Sequence, residues 1–133
     1  MKNISDATDL IATAREALLE ELLPRIPKEQ RYAGLMIANA MAIALREQRC
    51  DAQVTRDELA RLRALLPATA PHSEATKQEA LLALRRKLCT AIRAGAFDEG
   101  ARRHELEAHL ARTAADWVAI SNPKALRAPQ AAA

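Results

Sequence analysis

Two histidines and a glutamate near the C-terminal end resemble the zinc-peptidase motif at first sight. They are His104, Glu105 and His109. That motif needs histidines four residues apart, so that both rings face one metal ion. Here the two histidines are five residues apart, which turns them about 140° from each other on a helix. We therefore expect two solvent-facing histidines and no metal site.

The side chains that could act as nucleophiles lack activating neighbours. Cys89 lies between Leu88 and Thr90, a setting typical of a small buried thiol. No serine stands in a Gly-x-Ser-x-Gly turn, and the glutamates are spread along helical faces on which they are ordinarily solvated. The sequence thus predicts no catalytic residue and no cofactor, and we expect that the chain is not an enzyme.

A line of polar side chains interrupts an otherwise apolar segment. Tyr32, Asn39 and Arg46 recur every seven residues, so each lies within about 20° of the last on a helix, with Met36 and Ile43 between them. One interpretation is that Asn39 bonds to a neighbouring helix and sets the register of the fold. The other is that the line contacts a ligand or a partner protein, and spacing alone favours the first.

A basic run is the second feature that could bind a ligand. Arg85, Arg86 and Lys87 are consecutive, and Arg93 lies seven residues after Arg86 on the same helical face. The chain has no aromatic platform for stacking bases, and its net charge is only +3. We therefore expect a solvated face and no nucleic-acid binding. Contact with an acidic partner or a phosphorylated small molecule stays open.

Composition decides the fold class. The 133 residues include 31 alanines and 18 leucines but only two valines and three aromatic residues, a mixture that favours helices over strands. Three glycines leave no Gly-rich phosphate loop. The longest apolar stretch, residues 33–45, is too short to span a membrane and indicates a buried core helix. Two separated cysteines and no recognisable leader predict a cytoplasmic protein.

Hydrophobic periodicity and helix-end signals predict four long helices and one short one. The short helix has the capping-box pair Thr55 and Glu58 at its start, and Gly95 and Asn122-Pro123 end the last two helices. We expect helices at about residues 7–23, 28–49, 55–66, 74–94 and 100–121. The prediction is an all-α antiparallel bundle in one domain, residues 1–127, with a mobile loop at 67–73 and a flexible tail at 128–133.

Three blocks carry a resemblance to a known family. They are Arg31 to Glu47, Leu88 to Gly95, and Ala119 to Pro123. Together they are similar to the signature blocks of a bacterial family of small helical domains of unknown function, encoded beside aminoglycoside-phosphotransferase-like kinases and acyl-CoA dehydrogenases. In that family a small member accompanies the kinase of levulinic acid catabolism, which phosphorylates the 4-hydroxyl of a hydroxyacyl-CoA.

The resemblance implies a partner and a role. The chain would be a non-catalytic accessory subunit of such a kinase, with ATP and magnesium bound by the kinase. It also makes the contact interpretation of the polar line as strong as the register interpretation. Two alternatives stay open, a small enzyme acting on CoA esters through Glu47 or Cys89, and a basic helical regulator of nucleic acid. The candidate contact residues are Tyr32, Asn39, Arg46, Glu47, Arg86, Arg93 and Asn122.

Overall fold

The computed structural model describes residues 6–67 and 76–127. Every regular element in these ranges is helical, which confirms the all-α class. The predicted tail and nearly all of the predicted loop lie outside the described residues. Four α-helices are described: α1 (Ala7–Ala17), α2 (Lys28–Leu65), α3 (Lys77–Arg93) and α4 (Gly100–Ser121). A π-helical turn (Leu18–Leu22) and two 3-10 segments (Leu23–Arg25 and Pro123–Arg127) complete them.

The second and third predicted helices are one helix, so the predicted link after Cys50 and Asp51 is wrong. α2 runs without a break for 38 residues. No glycine or proline lies between Gly34 and Pro67, so nothing in this stretch removes a backbone donor or favours leaving the helix. Thr55 and Glu58 therefore lie inside the helix, where both are buried, and they do not cap a helix start.

The first helix begins as predicted and ends early. Asp6 caps α1 by accepting a hydrogen bond at 2.9 Å from the backbone N–H of Asp9, which satisfies one of the free donors of the first turn. The predicted continuation to residue 23 instead becomes the π-helical turn and then the 3-10 segment containing Pro24. A proline at the start of the 3-10 segment lacks the N–H that a continuing α-helix would use.

Both ends of α3 are defined by local signals. A capping box at its start joins Thr76 and Glu79, each side chain accepting from the other residue's backbone N–H at 3.2 and 2.8 Å. At its end Gly95 takes a φ of +81°, and the N–H of Ala96 donates to Ala91 O at 3.1 Å. This Schellman motif confirms Gly95 as the residue beyond the helix.

The contacts of the chain define two compact units. The first contains the chain up to Asp51 together with Ile120–Asn122, and the second contains Ala52–Ala119 and the chain from Pro123 onward. A single domain over residues 1–127 stays a prediction. The hydrophobic core cluster belongs entirely to the second unit, and Leu62 at its centre is fully buried. Its members are Leu59, Leu62, Leu65, Leu81, Leu84, Leu88, Phe97 and Leu106.

The first unit buries little apolar surface, contrary to the prediction for its central helix. Among its described hydrophobic residues only Ala38 and Leu45 are buried. Tyr32, Leu35 and Met36 are 74%, 51% and 49% exposed. The expectation of a core helix assumed neighbours on every side, but the middle of this stretch keeps a large part of its surface in solvent. None of the described helices is long and apolar enough to cross a membrane.

Candidate functional site

The polar line on α2 is divided in the structure. Tyr32 and Asn39 are exposed. Arg46 is half-buried, and its Nε donates to the backbone carbonyl of Ile120 at 2.6 Å. An exposed Asn39 does not set the register of helices within this chain, because that role requires a buried amide with a partner.

Arg46 donates a hydrogen bond to a free carbonyl group at the C-terminal end of α4. Ile120 lies in the last turn of α4, where carbonyl groups have no partner within the helix. The Arg46 guanidinium supplies that partner and places its positive charge at the negative end of the helix dipole. Glu47 is the residue after Arg46 on α2, and Asn122 lies two residues after Ile120. Both are exposed. The structure thus brings parts of two resemblance blocks together around Arg46.

The basic run on α3 is divided as well. Arg86 and Arg93 are exposed and share one face with Leu82 and Cys89; we call these four residues the α3 face. Neither guanidinium has an ion-pair partner among the described residues. Cys89 is exposed, so its prediction as a buried thiol is wrong. Arg85 points elsewhere and has a buried partner.

That partner is Glu58, which the sequence predicts to cap a helix and which lies buried inside α2. Arg85 donates through Nε and Nη2 to the two carboxylate oxygens of Glu58 at 2.8 and 2.7 Å. The Glu58 side chain is only 4% exposed and that of Arg85 is 36% exposed. The hydrogen bonds to Glu58 raise the pKa of the Arg85 guanidinium. Such a two-pronged pair holds both charges and fixes α2 against α3.

The second unit also buries the imidazole of His109. Arg61 Nε donates to His109 Nδ1 at 3.4 Å, and Arg61 Nη2 donates to Thr113 Oγ1 at 3.3 Å. Asp116 lies 3.6 Å from Arg61. Desolvation lowers the pKa of His109, and the guanidinium of Arg61 lowers it further. His109 is therefore a neutral buried ring, and its prediction as solvent-facing is wrong.

His104 is exposed, as predicted. Across the described residues no group of three His, Cys, Asp or Glu side chains could hold a metal ion. A pocket of about 410 Å³ opens beside His109 in the second unit. Its walls carry one cation, one carboxylate and the imidazole, but no hydroxyl or thiol that could act as a nucleophile; they are Arg61, Ala64, Leu65, Glu105, Ala108 and His109.

A second cavity, also of about 410 Å³, lies in the first unit between α1 and α2. Every residue that lines it is apolar, and three are alanines; the lining consists of Leu10, Ile11, Ala14, Ala40, Met41 and Ala44. Small side chains let the helices approach, but the gap is not filled. No side chain in this lining can donate a hydrogen bond to a ligand. The cavity therefore lacks the polar groups that orient a ligand in a specific binding site.

A signal for the buried cluster was available in the sequence. On α2, Glu58 falls between Leu62 and Leu65 when the residues are placed on a helix, within the leucine stripe that forms the core. A carboxylate in such a stripe needs a buried cation, and Arg85 lies beside the leucine stripe of α3 in the same way. The prediction of a capping box gave the Glu58 carboxylate a partner at a helix start, so its need for a buried cation was missed.

The described residues thus form an all-helical protein with exposed helical faces and a buried polar cluster, in which the Arg85–Glu58 ion pair joins two of its own helices. The chain belongs to the family described as a domain of unknown function (DUF6285), whose model matches residues 24–125. The match includes all three resemblance blocks and leaves α1 outside. No curated protein and no solved structure shows significant similarity to the chain.

Proposed function

We propose that the chain is a non-catalytic accessory subunit of an aminoglycoside-phosphotransferase-like kinase that phosphorylates hydroxyacyl-CoA in the bacterial cytoplasm. The resemblance of the three sequence blocks supports the partner class. The observation that carries the proposal is the α3 face, where two guanidinium groups stand exposed beside a half-exposed leucine. Arginines around an apolar contact are typical of protein interfaces.

The α3 face fits an acidic surface on the kinase. Arg86 and Arg93 lie two turns apart, so both reach the same side of the helix. Leu82 and Cys89 provide apolar contact between and beside them. Arg85 does not take part, because its guanidinium is held by Glu58 and so keeps α3 in place beneath the face. Charge on the face directs the approach, and apolar burial supplies affinity.

The contribution to catalysis is indirect in this proposal. The subunit docks on the kinase and either completes the pocket for the acyl-CoA or stabilises the conformation that binds it. ATP and magnesium belong to the kinase. The helices are proposed to form the antiparallel bundle that the sequence predicts, since a rigid helical face loses little conformational entropy on docking.

Co-expression with an aminoglycoside-phosphotransferase-like kinase from the same genome tests the proposal. We expect the two proteins to co-purify, and the kinase alone to phosphorylate a 4-hydroxyacyl-CoA at least tenfold more slowly than the complex. The variant Arg86→Glu/Arg93→Glu should lose co-purification and the stimulation together. Arg63→Glu, which changes an exposed arginine on α2, is the control and should retain both. Full activity of the isolated kinase would overturn the proposal.

A further inference from the structure

An apolar strip of α2 lies open in the first unit. Tyr32, Leu35, Met36 and Asn39 occupy an arc of about 100° on the helix, and we call them the α2 face. All four are exposed. Their spacing of three and four residues is that of a helix–helix seam, and Asn39 lies seven residues after Tyr32 at the equivalent position of the next heptad.

Charged residues of opposite sign border this face. Glu29 and Glu47 are eighteen residues apart, which is five full turns, so they lie on the same side of the strip. Arg31 and Arg49 have the same separation and lie on the other side. All four are exposed, and none has an ion-pair partner among the described residues. The face therefore has an acidic edge and a basic edge, and neither is neutralised.

We propose that the α2 face binds the α2 face of a second copy of this chain, with the two helices parallel and in register. A two-fold axis along the seam places the acidic edge of each helix against the basic edge of the other. With the helices in register, Glu29 is displaced from Arg31 of the second copy by two residues, or about 3 Å along the helix axis. Glu47 and Arg49 of the second copy have the same displacement. Four ion pairs flank the seam.

The antiparallel arrangement is disfavoured by the same charges. A two-fold axis perpendicular to the helices brings like edges together, so that arginine meets arginine and glutamate meets glutamate. Asn39 adds to the preference, because a single asparagine in the seam of parallel two-stranded coiled coils pairs with its equivalent and fixes the register. Its exposed amide within one copy thereby gains a partner.

The area of the face is sufficient for a modest dimer. A tyrosine three-quarters exposed and two aliphatic side chains half-exposed, together with Asn39 and the stems of the charged residues, bury about 500 Å² on each copy. The total of about 1,000 Å² is the lower limit for a specific interface. We therefore expect a dissociation constant on the order of micromolar.

Sedimentation velocity of the full chain over a range of concentrations is the first test. We expect the mass to rise from 14.6 kDa to twice that value between about 1 and 100 μM. Met36→Glu should shift this transition at least tenfold higher in concentration. Ile37→Glu is the matched control, since Ile37 is 51% exposed against 49% for Met36 but lies about 150° from the centre of the face. A chain that stays monomeric at 100 μM overturns the proposal, as does an equal effect of the two variants.

Charge exchange tests the edges. The variant Glu29→Arg/Glu47→Arg has two basic edges, and Arg31→Glu/Arg49→Glu has two acidic edges. Each alone should remain monomeric at concentrations at which the wild type is dimeric, and an equimolar mixture should form the heterodimer. If both variants dimerise as well as the wild type, the edges do not pair and the proposal fails.

A native cysteine reports the orientation. Cys50 is exposed and lies eighteen residues after Tyr32, on the same line of the helix. In the parallel pair Cys50 is near its equivalent, whereas in an antiparallel pair the two are at opposite ends. Copper-phenanthroline oxidation of Cys89→Ser should give a covalent dimer, and adding Met36→Glu should prevent it. A dimer that does not cross-link through Cys50 overturns the parallel arrangement.

Discussion

Replacing Arg85 by methionine leaves the Glu58 carboxylate buried without its counterion. Methionine keeps the unbranched stem of the arginine, so packing along the stem is preserved and the change falls on the charge. The pair contains two hydrogen bonds of 2.8 and 2.7 Å. Since the carboxylate is almost wholly buried in the fold, water cannot take the place of the guanidinium, and the folded state should be strongly destabilised.

The magnitude follows from the burial of each partner. Removing one partner of a fully buried ion pair costs about 3–5 kcal/mol. The Arg85 side chain is 36% exposed, so solvent already screens part of the interaction, and we expect a loss of about 2–3 kcal/mol. Replacing both residues by methionine removes the stranded charge, and the double variant should lie within about 1 kcal/mol of the wild type.

Urea unfolding followed by far-UV circular dichroism measures these free energies. The control is Arg103→Met, which breaks the exposed pair of Arg103 with Glu107 and should cost less than about 0.5 kcal/mol. For Arg85→Met the melting temperature should also fall, by roughly 6–12 °C. The reasoning is refuted if Arg85→Met costs no more than Arg103→Met, or if the double variant is as unstable as Arg85→Met alone.

Three further changes test the packing and the buried histidine. Leu62→Ala should lower the free energy of unfolding by about 3–4 kcal/mol because Leu62 is fully buried, whereas the half-exposed Leu82→Ala should cost less than about 1 kcal/mol in the same urea assay. Gly34→Val should destabilise by about 1–3 kcal/mol more than Ala33→Val, since a Cβ at Gly34 would lie 2.8 and 3.2 Å from two δ-methyl groups; equal melting temperatures would contradict this. Burial and nearby guanidinium groups lower the pKa of His109, so the unfolded chain takes up a proton that the folded chain excludes, and stability should fall as the pH drops below about 6.5. Urea unfolding at pH 7.5 and 5.5 should show that fall in the wild type and a smaller one in His109→Gln.

Helix ends were predictable where the signal is local. Gly95 acts at the position that the sequence predicted, and Asp6 caps α1 where the first helix was predicted to begin. A cap of this kind depends on hydrogen bonds to backbone groups within a few residues. Local signals are ambiguous when the same pattern occurs twice. Thr55 and Glu58 have the spacing of Thr76 and Glu79, yet only the second pair caps a helix.

The difference between the two pairs comes from their surroundings. The second pair lies beyond the end of α2, which stops at Leu65 just before Pro67. The first pair continues a run of helix formers, so the helix passes through it and its polar side chains need partners from elsewhere. The carboxylate finds its partner 27 residues away. Its place in the leucine stripe indicates that a buried cation is needed, but spacing within one helix does not identify that cation.

The buried histidine shows the same limit. The sequence predicted that His109 faces solvent, yet it is buried on α4 while the larger apolar residues Leu110 and Trp117 are exposed. The helix presents Thr113 and Asp116 to Arg61 on the same side as His109, which hydrophobicity alone does not predict. The partners of the part-buried Arg61 guanidinium lie on that side of α4, and the need for them arises only once α2 and α4 are in contact.

In the middle of α2 the sequence pattern predicts a covered helix, but one copy of the chain covers only part of it. Apolar residues on nearly every side of residues 33–45 indicate that the helix is covered, and this inference has a sound physical basis. The chain itself covers one side, through Leu23 and Ile26 against Gly34, and leaves the α2 face open. Hydrophobic patterning specifies that a surface is to be buried, but it does not specify whose atoms bury it. The opposite charges along the two edges of that face add this missing information, because they match a second copy in one orientation only.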